Sequence, residues 1–264
     1  MNADPVLFVG AGPGDPDLIT VAGRRALAEA DLVVFAGSLV NPELLSVCRP
    51  EARREDSAPL ALGEIVALMA EGHRAGLKVV RLHTGDPSLY GAVYEQLTAL
   101  KALGVPARVI PGVTAALAAA ATLGLELTLP EITQTLIITR AAGRTPVPAG
   151  ENLAALAAVG ASLALYLSAG QGEEAGRALA EGYGPEAPLA LFHRATWPDG
   201  RLVWTTCARL AETLAAEGLD RHTLILAGPA VAAARAGTAA PPSRLYDPRF
   251  SHAHRAAPEE KKCP

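Results

Sequence analysis

The residues best suited to chemistry in this chain are two carboxylates set in glycine- and proline-rich turns. Asp15 lies in VGAGPGDPDLIT, Val9 to Thr20, and Asp86 in HTGDPSLYG, His83 to Gly91. Gly10, Gly12 and Gly14 allow positive φ and close backbone approach to a ligand, and Pro13 stiffens the first turn at its middle. A carboxylate in such a turn repels a phosphate, but it accepts hydrogen bonds from hydroxyls and attracts cations. Asp86 can accept from a ribose hydroxyl or an amino group, Gly85 lets backbone come close, and Tyr90 supplies an aromatic wall. Together the two turns suit a neutral or cationic ligand bearing hydroxyls. Each also reads as a helix entry, with Asp15 capping one helix and Asp86 or Ser88 the other. A third turn, IPGVTAALAAAATLGLELTLP from Ile110 to Pro130, opens a helix of small residues that can pack closely on a neighbour or a ligand.

Several chemistries are excluded or weakened. The dinucleotide fingerprint needs glycine where Asp15 stands, and no Gly-Lys-Ser/Thr follows as a phosphate-binding P-loop requires. Cys48, Cys207 and Cys263 are far apart and form no C-x-x-C, and the two-residue spacing of His252 and His254 is poor ligand geometry, so no metal site is expected. A net charge of −4 argues against general nucleic-acid binding, and 4% aromatic residues make a poor stacking platform for bases. No basic-then-apolar leader opens the chain, and charge, Gly or Pro interrupts the apolar runs. The expectation is a soluble, cytoplasmic protein without membrane association.

These turns need strands to hold them. Strand-like runs at Val6 to Val9, Leu32 to Phe35, Val79 to Leu82, Ala107 to Ile110, Leu136 to Thr139, Leu163 to Leu167, Leu189 to Phe192 and Leu224 to Ala227 alternate with helix-like segments. Those segments are Leu18 to Ala30, Leu60 to Ala75, Gly91 to Leu103, Thr114 to Leu123, Asn152 to Val159, Gly172 to Glu181 and Cys207 to Glu217. Such alternation predicts an α/β fold. Arg201 to Thr206 follows a Pro-Asp-Gly turn and reads as an added antiparallel strand. The 264-residue length suits two modest domains: 1–125, a linker at 126–134 containing Pro130, and 135–235. The Ala-, Pro- and Arg-rich stretch 236–264 is expected to be a poorly ordered tail. The acidic turns follow the first and third strand-like runs, so one sheet edge should present both.

Taken together, the turns resemble those of the tetrapyrrole C-methylases that use S-adenosylmethionine. Besides VGAGPGDPDLIT and HTGDPSLYG, the resemblance is carried by FAGSLVNPELL from Phe35, VIPGVTAALAAAATLGLELTLPEITQT from Val109 and ITRAAGRTPVP from Ile138, and it reaches to about Val231. It is nearest to the corrin-methylating branch that acts on C11 of precorrin-4. The resemblance implies two α/β domains with the methyl donor in a cleft between them, and a homodimer. By matching motifs it also implies donor contacts at Pro13, Thr84, Gly85, Asp86, Leu89, Thr114 and Ala115. Leu167 in LALYLSAGQ, Ala195 in FHRAT and Ala227 in LILAGPA join them from the later motifs.

Uroporphyrinogen-type relatives carry an aspartate at the end of the second strand, and here that strand ends Phe35-Ala36-Gly37-Ser38. No base carries over from that position. Ser38 and Asn41 become candidates for touching the tetrapyrrole. Arg81, Arg140 and Arg144 are candidates for its carboxylates, because a guanidinium pairs with a carboxylate in two parallel hydrogen bonds. His83 is a candidate for facing the ring, and Asp15 is the nearest acceptor for a proton, with a structural role as its alternative. Three other readings stay open: a methylase of another corrin carbon, a nicotinamide oxidoreductase using the first turn, and a tetrapyrrole-binding module without turnover.

Overall fold

The computed structural model describes residues 4–143, 145–239 and 242–255. Two compact units divide the chain. The first comprises Met1–Thr122, Phe192–Val203 and Arg221–Leu224, and the second Leu123–Leu191, Trp204–Asp220 and Ile225–Pro264.

The first unit is built on β1 (Val6–Gly10), α1 (Val21–Glu29), β2 (Leu32–Phe35), β3 (Arg53–Asp56), α2 (Leu62–Arg74), β4 (Val79–His83), α3 (Val93–Ala102), β5 (Ala107–Ile110) and α4 (Ala115–Thr122). Its sheet has the order β3-β2-β4-β1-β5, and every pairing in it is parallel. Parallel strands covered on both faces are apolar on both faces, with alternate residues pointing to opposite sides. Val9, Val33, Val80 and Leu82 accordingly pack with Leu27 of α1 and Leu44. Val6, Phe8, Leu32, Val34 and Val79 join Ile65, Met69 and Leu100 of α2 and α3. Register aligns Gly10 with His83 and Val9 with Ile110, so β1, β4 and β5 end level with one another. All three chemistry-bearing turns therefore leave adjacent strands at one edge, where chain order reverses direction across the sheet and open α/β folds hold ligands.

The second unit follows with β6 (Leu136–Arg140), α5 (Leu153–Ala157), β7 (Ser162–Tyr166), α6 (Gly172–Tyr183), β8 (Pro188–His193), β9 (Arg201–Thr206), α7 (Leu210–Ala216), β10 (Thr223–Ala227) and α8 (Pro229–Ala236). The second sheet runs β6-β7-β10-β8-β9, with β6 parallel and β10 antiparallel to β7. The turn between β8 and β9 is grouped with the first unit by the contacts it makes.

Two elements differ from the sequence reading. The charged run Arg53–Asp56 is the edge strand β3, since pairing with β2 supplies the order that an apolar run normally signals. Pro229–Ala236 is a helix: Pro at its first turn needs no backbone N–H bond, and Gly237 closes it in the left-handed region. Beyond it, Arg244–Tyr246 forms a single 3-10 turn, and the Arg255 guanidinium donates to the carbonyls of Leu245 and Asp247. Cys48 and Cys207 are buried free thiols, and burial pushes Cys207 up to about 11. Cys263 lies outside the described residues. No helix among those residues is long and apolar enough to cross a membrane.

Candidate active site

Backbone meets backbone where the three turns converge. Gly12 N–H donates to Gly85 O at 3.2 Å, and Gly85 N–H returns a bond to Gly12 O at 2.8 Å. A Cβ built on Gly10 would lie 2.6 Å from Gly112 Cα, and one on Gly112 would lie 2.2 Å from Gly85 O. Side chains at either position would push the turns apart, so glycine there is a packing requirement. Gly85 itself has φ +60° and open space around it, a Cβ meeting nothing nearer than Thr114 Cα at 3.9 Å. That opening, beside the Thr114 and Val113 backbone, is a cradle a ligand can fill, and Thr84, Leu89, Thr114 and Ala115 of the same turns are half-buried.

Both acidic side chains shape the turns that carry them. Asp86 Oδ1 accepts the Ser88 N–H at 2.8 Å, while Oδ2 accepts the Gly112 N–H at 2.8 Å and ties the second turn to the third. Asp15 Oδ1 accepts the Asp17 N–H at 2.9 Å, capping the 3-10 turn Pro16–Leu18. Thr20 caps α1 through Gly23 N–H. Asp15 thus holds a capping position.

The substrate candidates are placed very differently. Asn41 is 8% exposed, with Nδ2 donating to Gly14 O at 2.8 Å and Oδ1 accepting Glu43 N–H at 3.0 Å. Its amide is spent on shaping the first turn. Alternation along β4 turns Arg81 inward beneath α3, where its guanidinium donates to Gln96 Oε1 at 3.1 Å and Val34 O at 3.2 Å. Burial lowers Arg81 to about 10, and this correction removes it from the substrate set. The same holds for His83, 3% exposed and stacked on Phe8 with ring centroids 5.7 Å apart. Burial, then repulsion from Arg81, pushes His83 down to about 3, and its Nε2 has no hydrogen-bond partner among the described residues. Arg140, half-buried at the end of β6, donates to the carbonyls of Ala141, Thr145 and Pro146 and so builds its own turn. Ser38 belongs to the 3-10 turn Gly37–Leu39. Arg144 lies outside the described residues.

Among the donor candidates, Pro13 is buried in the first turn, and Ala195 is 8% exposed between β8 and β9. In the second unit Leu167 is 68% exposed at φ +55°, a conformation a bulky residue adopts only when its surroundings impose it. Ser168, fully buried, does the imposing: its hydroxyl donates to Tyr166 O at 2.6 Å and accepts Ala141 N–H at 2.8 Å. Ala227 is fully buried in β10 and pairs with Leu163, at the far end of β7 from Leu167.

Sequence reasoning missed Thr196 and Trp197, which contact the first turn at Asp15 and Pro13. They stand more than 180 positions along the chain from their partners, and the only local sign was the Pro198-Asp199-Gly200 turn.

This arrangement has close counterparts. The family model for tetrapyrrole (corrin/porphyrin) methylases matches residues 5–211. A precorrin-4 C(11)-methyltransferase of Pseudomonas aeruginosa is 46% identical over 255 residues, spanning 97% of this chain and 99% of the relative. The X-ray structure of a cobalamin biosynthetic enzyme, cobalt precorrin-4 methyltransferase, superposes with a TM-score of 0.83 at 43% identity, over 86% of this chain and 95% of that one. Uroporphyrin-III C-methyl transferase from Thermus thermophilus, complexed with S-adenyl homocysteine, is 29% identical with a TM-score of 0.70, over 86% of this chain and 93% of that one. Glycine turns meeting at one sheet edge and a family match across most of the sequence lead to the same place: the chain belongs to the tetrapyrrole methylases.

Proposed function

We propose that this protein transfers a methyl group from S-adenosylmethionine to C11 of precorrin-4, or of its cobalt complex, in cobalamin biosynthesis. The observation that carries the proposal is 46% identity across almost the whole of a precorrin-4 C(11)-methyltransferase. When bound, the donor supplies a methyl on a sulfonium: the new carbon–carbon bond forms as the sulfur–methyl bond breaks, leaving S-adenosylhomocysteine, and a proton leaves the ring. The protein's share is to align the two reactants and exclude water, which accounts for a large part of the rate enhancement of such reactions.

The residues present suit that donor. Gly85 leaves open space beside Thr114, and Thr84, Leu89 and Ala115 of the same turns join it by motif resemblance. Pro13 and Ala195 complete the first unit's set. Leu167 and Ala227 enter from motif resemblance, Leu167 with the added support of its strained, exposed backbone. Asp86 serves by holding the second and third turns together rather than by offering a free carboxylate. Arg140 and Arg144 stay with the macrocycle's carboxylates on the chemistry of the guanidinium, and Ser38 and Asn41 with the ring edge on resemblance, Asn41 through the shape of the first turn. A homodimer in the cytoplasm completes the reading.

Mass spectrometry and NMR of the product formed with methyl-labelled donor test it. Label at C11 of the ring is the expected result. Label at another carbon would reassign the position, and binding of macrocycle without any transfer would make the chain a carrier.

A further inference from the structure

Between β8 and β9 the segment Arg194-Ala195-Thr196-Trp197-Pro198-Asp199-Gly200 closes on three successive residues of the first glycine turn. Trp197 Nε1 donates to Pro13 O at 3.1 Å. The Thr196 hydroxyl oxygen accepts the Asp15 N–H at 3.0 Å. Between them, the Trp197 ring fills the space a Gly14 side chain would need, since a Cβ there would lie 2.1 Å from Cδ1. Asn41 holds the Gly14 carbonyl. The carbonyls of Pro13 and Gly14 and the N–H of Asp15 are thus held by side chains remote in sequence rather than by a sheet ladder.

The segment is braced for this work. The Arg194 guanidinium lies 4.1 Å from the Trp197 ring centroid and pairs with Asp199 at 3.0 Å. Backbone bonds run from Trp197 N–H to Arg194 O, from Gly200 N–H to Trp197 O and from Arg194 N–H to His222 O. Arg194 and Thr196 sit at φ +49° and +69°, left-handed conformations that cost roughly 1 kcal/mol or more each outside glycine. The segment presents the indole to the Pro13 carbonyl and the hydroxyl to the Asp15 N–H at once.

Resting on the methyl-donor reading above, we propose that Thr196 and Trp197 form a positioning clamp that pre-orders Pro13–Asp15 for the donor. Both are positioning residues. A turn ordered before the ligand arrives loses less conformational freedom on binding, and affinity rises by that difference. The clamp therefore acts on donor affinity more than on the chemical step.

The test uses the full chain. In a Trp204→Phe background Trp197 is the only indole, and its emission should shift as S-adenosylhomocysteine is titrated in. Calorimetry should show binding weakened about tenfold in both Trp197→Phe, which keeps an aromatic ring but loses the N–H, and Thr196→Val. The donor KM should rise while kcat at saturating donor changes less than about twofold. Gly14→Ala should weaken binding in the native background and add nothing to Trp197→Ala, where the ring it collides with is gone. Unchanged affinity in Trp197→Phe and Thr196→Val would overturn the clamp, as would a Gly14→Ala effect of equal size in both backgrounds. An intact chain that binds no S-adenosylhomocysteine overturns the methyl-donor reading itself.

Discussion

Gly14-Asp15-Pro16 and Gly85-Asp86-Pro87 are one tripeptide in two turns of the same sheet edge, and the fold uses them in different ways. Each aspartate accepts the N–H two residues on with one oxygen. Only Asp86 sends its other oxygen to a neighbouring turn, at Gly112. The glycines differ as well. Gly14 is required because an indole fills its place, whereas Gly85 is required for φ +60° beside open space. One turn is held from outside by Trp197, Thr196 and Asn41, and the other holds its neighbour from within. Identical local sequence therefore takes its role from what the sheet places beside it.

The largest test of this contrast is acid, because the second turn follows a buried base and the first does not. Unfolded His83 takes a proton near its ordinary value of 6.5, but folded His83 does so only at about 3. The unfolded state binds more protons between these values, so this contribution is complete above about pH 6.5 and is lost as pH falls toward 3. Within that window the unfolding free energy of the native protein should fall relative to His83→Phe by about 1.4 kcal/mol per pH unit. Parallel curves in denaturant titrations at several pH values would remove His83 from the account.

Gly112→Ala comes next. Its Cβ would meet the Gly85 carbonyl oxygen and the Gly10 backbone, neither of which can swing aside. A cost of about 3 kcal/mol is expected, seen as a fall of roughly 10 °C in melting temperature. A drop of less than a few degrees would mean that the turns are not packed backbone on backbone.

The paired change Asp→Asn gives the sharpest comparison. Asp86→Asn leaves one acceptor for two N–H groups and turns an amide N–H toward the other, at a cost of about 2 kcal/mol. Asp15→Asn keeps the single acceptor its turn uses, and both stability, within about 0.5 kcal/mol, and kcat should survive. Equal losses for the two variants would erase the distinction. A fall in kcat beyond about 100-fold for Asp15→Asn at unchanged melting temperature would instead make Asp15 the proton acceptor.

Much of the scaffold was legible in the chain itself. The strand-like runs at Leu32–Phe35 and Ala107–Ile110 coincide with β2 and β5, and RLVWTT after its Pro-Asp-Gly turn is β9. The run at Leu32–Phe35 announces a strand because burial on both faces needs apolar side chains on both, whereas β5 and β9 were legible from β-branched and aromatic residues beside turn signals. β3 escaped for the converse reason: its Arg and Glu side chains are exposed or half-exposed at an edge, and only hydrogen bonding to β2 makes it a strand. The candidate site divides in the same way. Its glycines and aspartates stood out by type and spacing, but the inward turn of Arg81 and His83 depended on strand parity and on what covers that face.

Sequence alone determined the alternation of elements, the three turns and the family resemblance, because periodicity and turn chemistry are local. Tertiary structure alone decided that Asp86 would bind Gly112, that Arg81 would spend its charge on Gln96 and Val34, and that Trp197 would stand where Gly14 has no side chain. Those outcomes rest on contacts between residues far apart in the chain, where spacing along the sequence carries no information about distance.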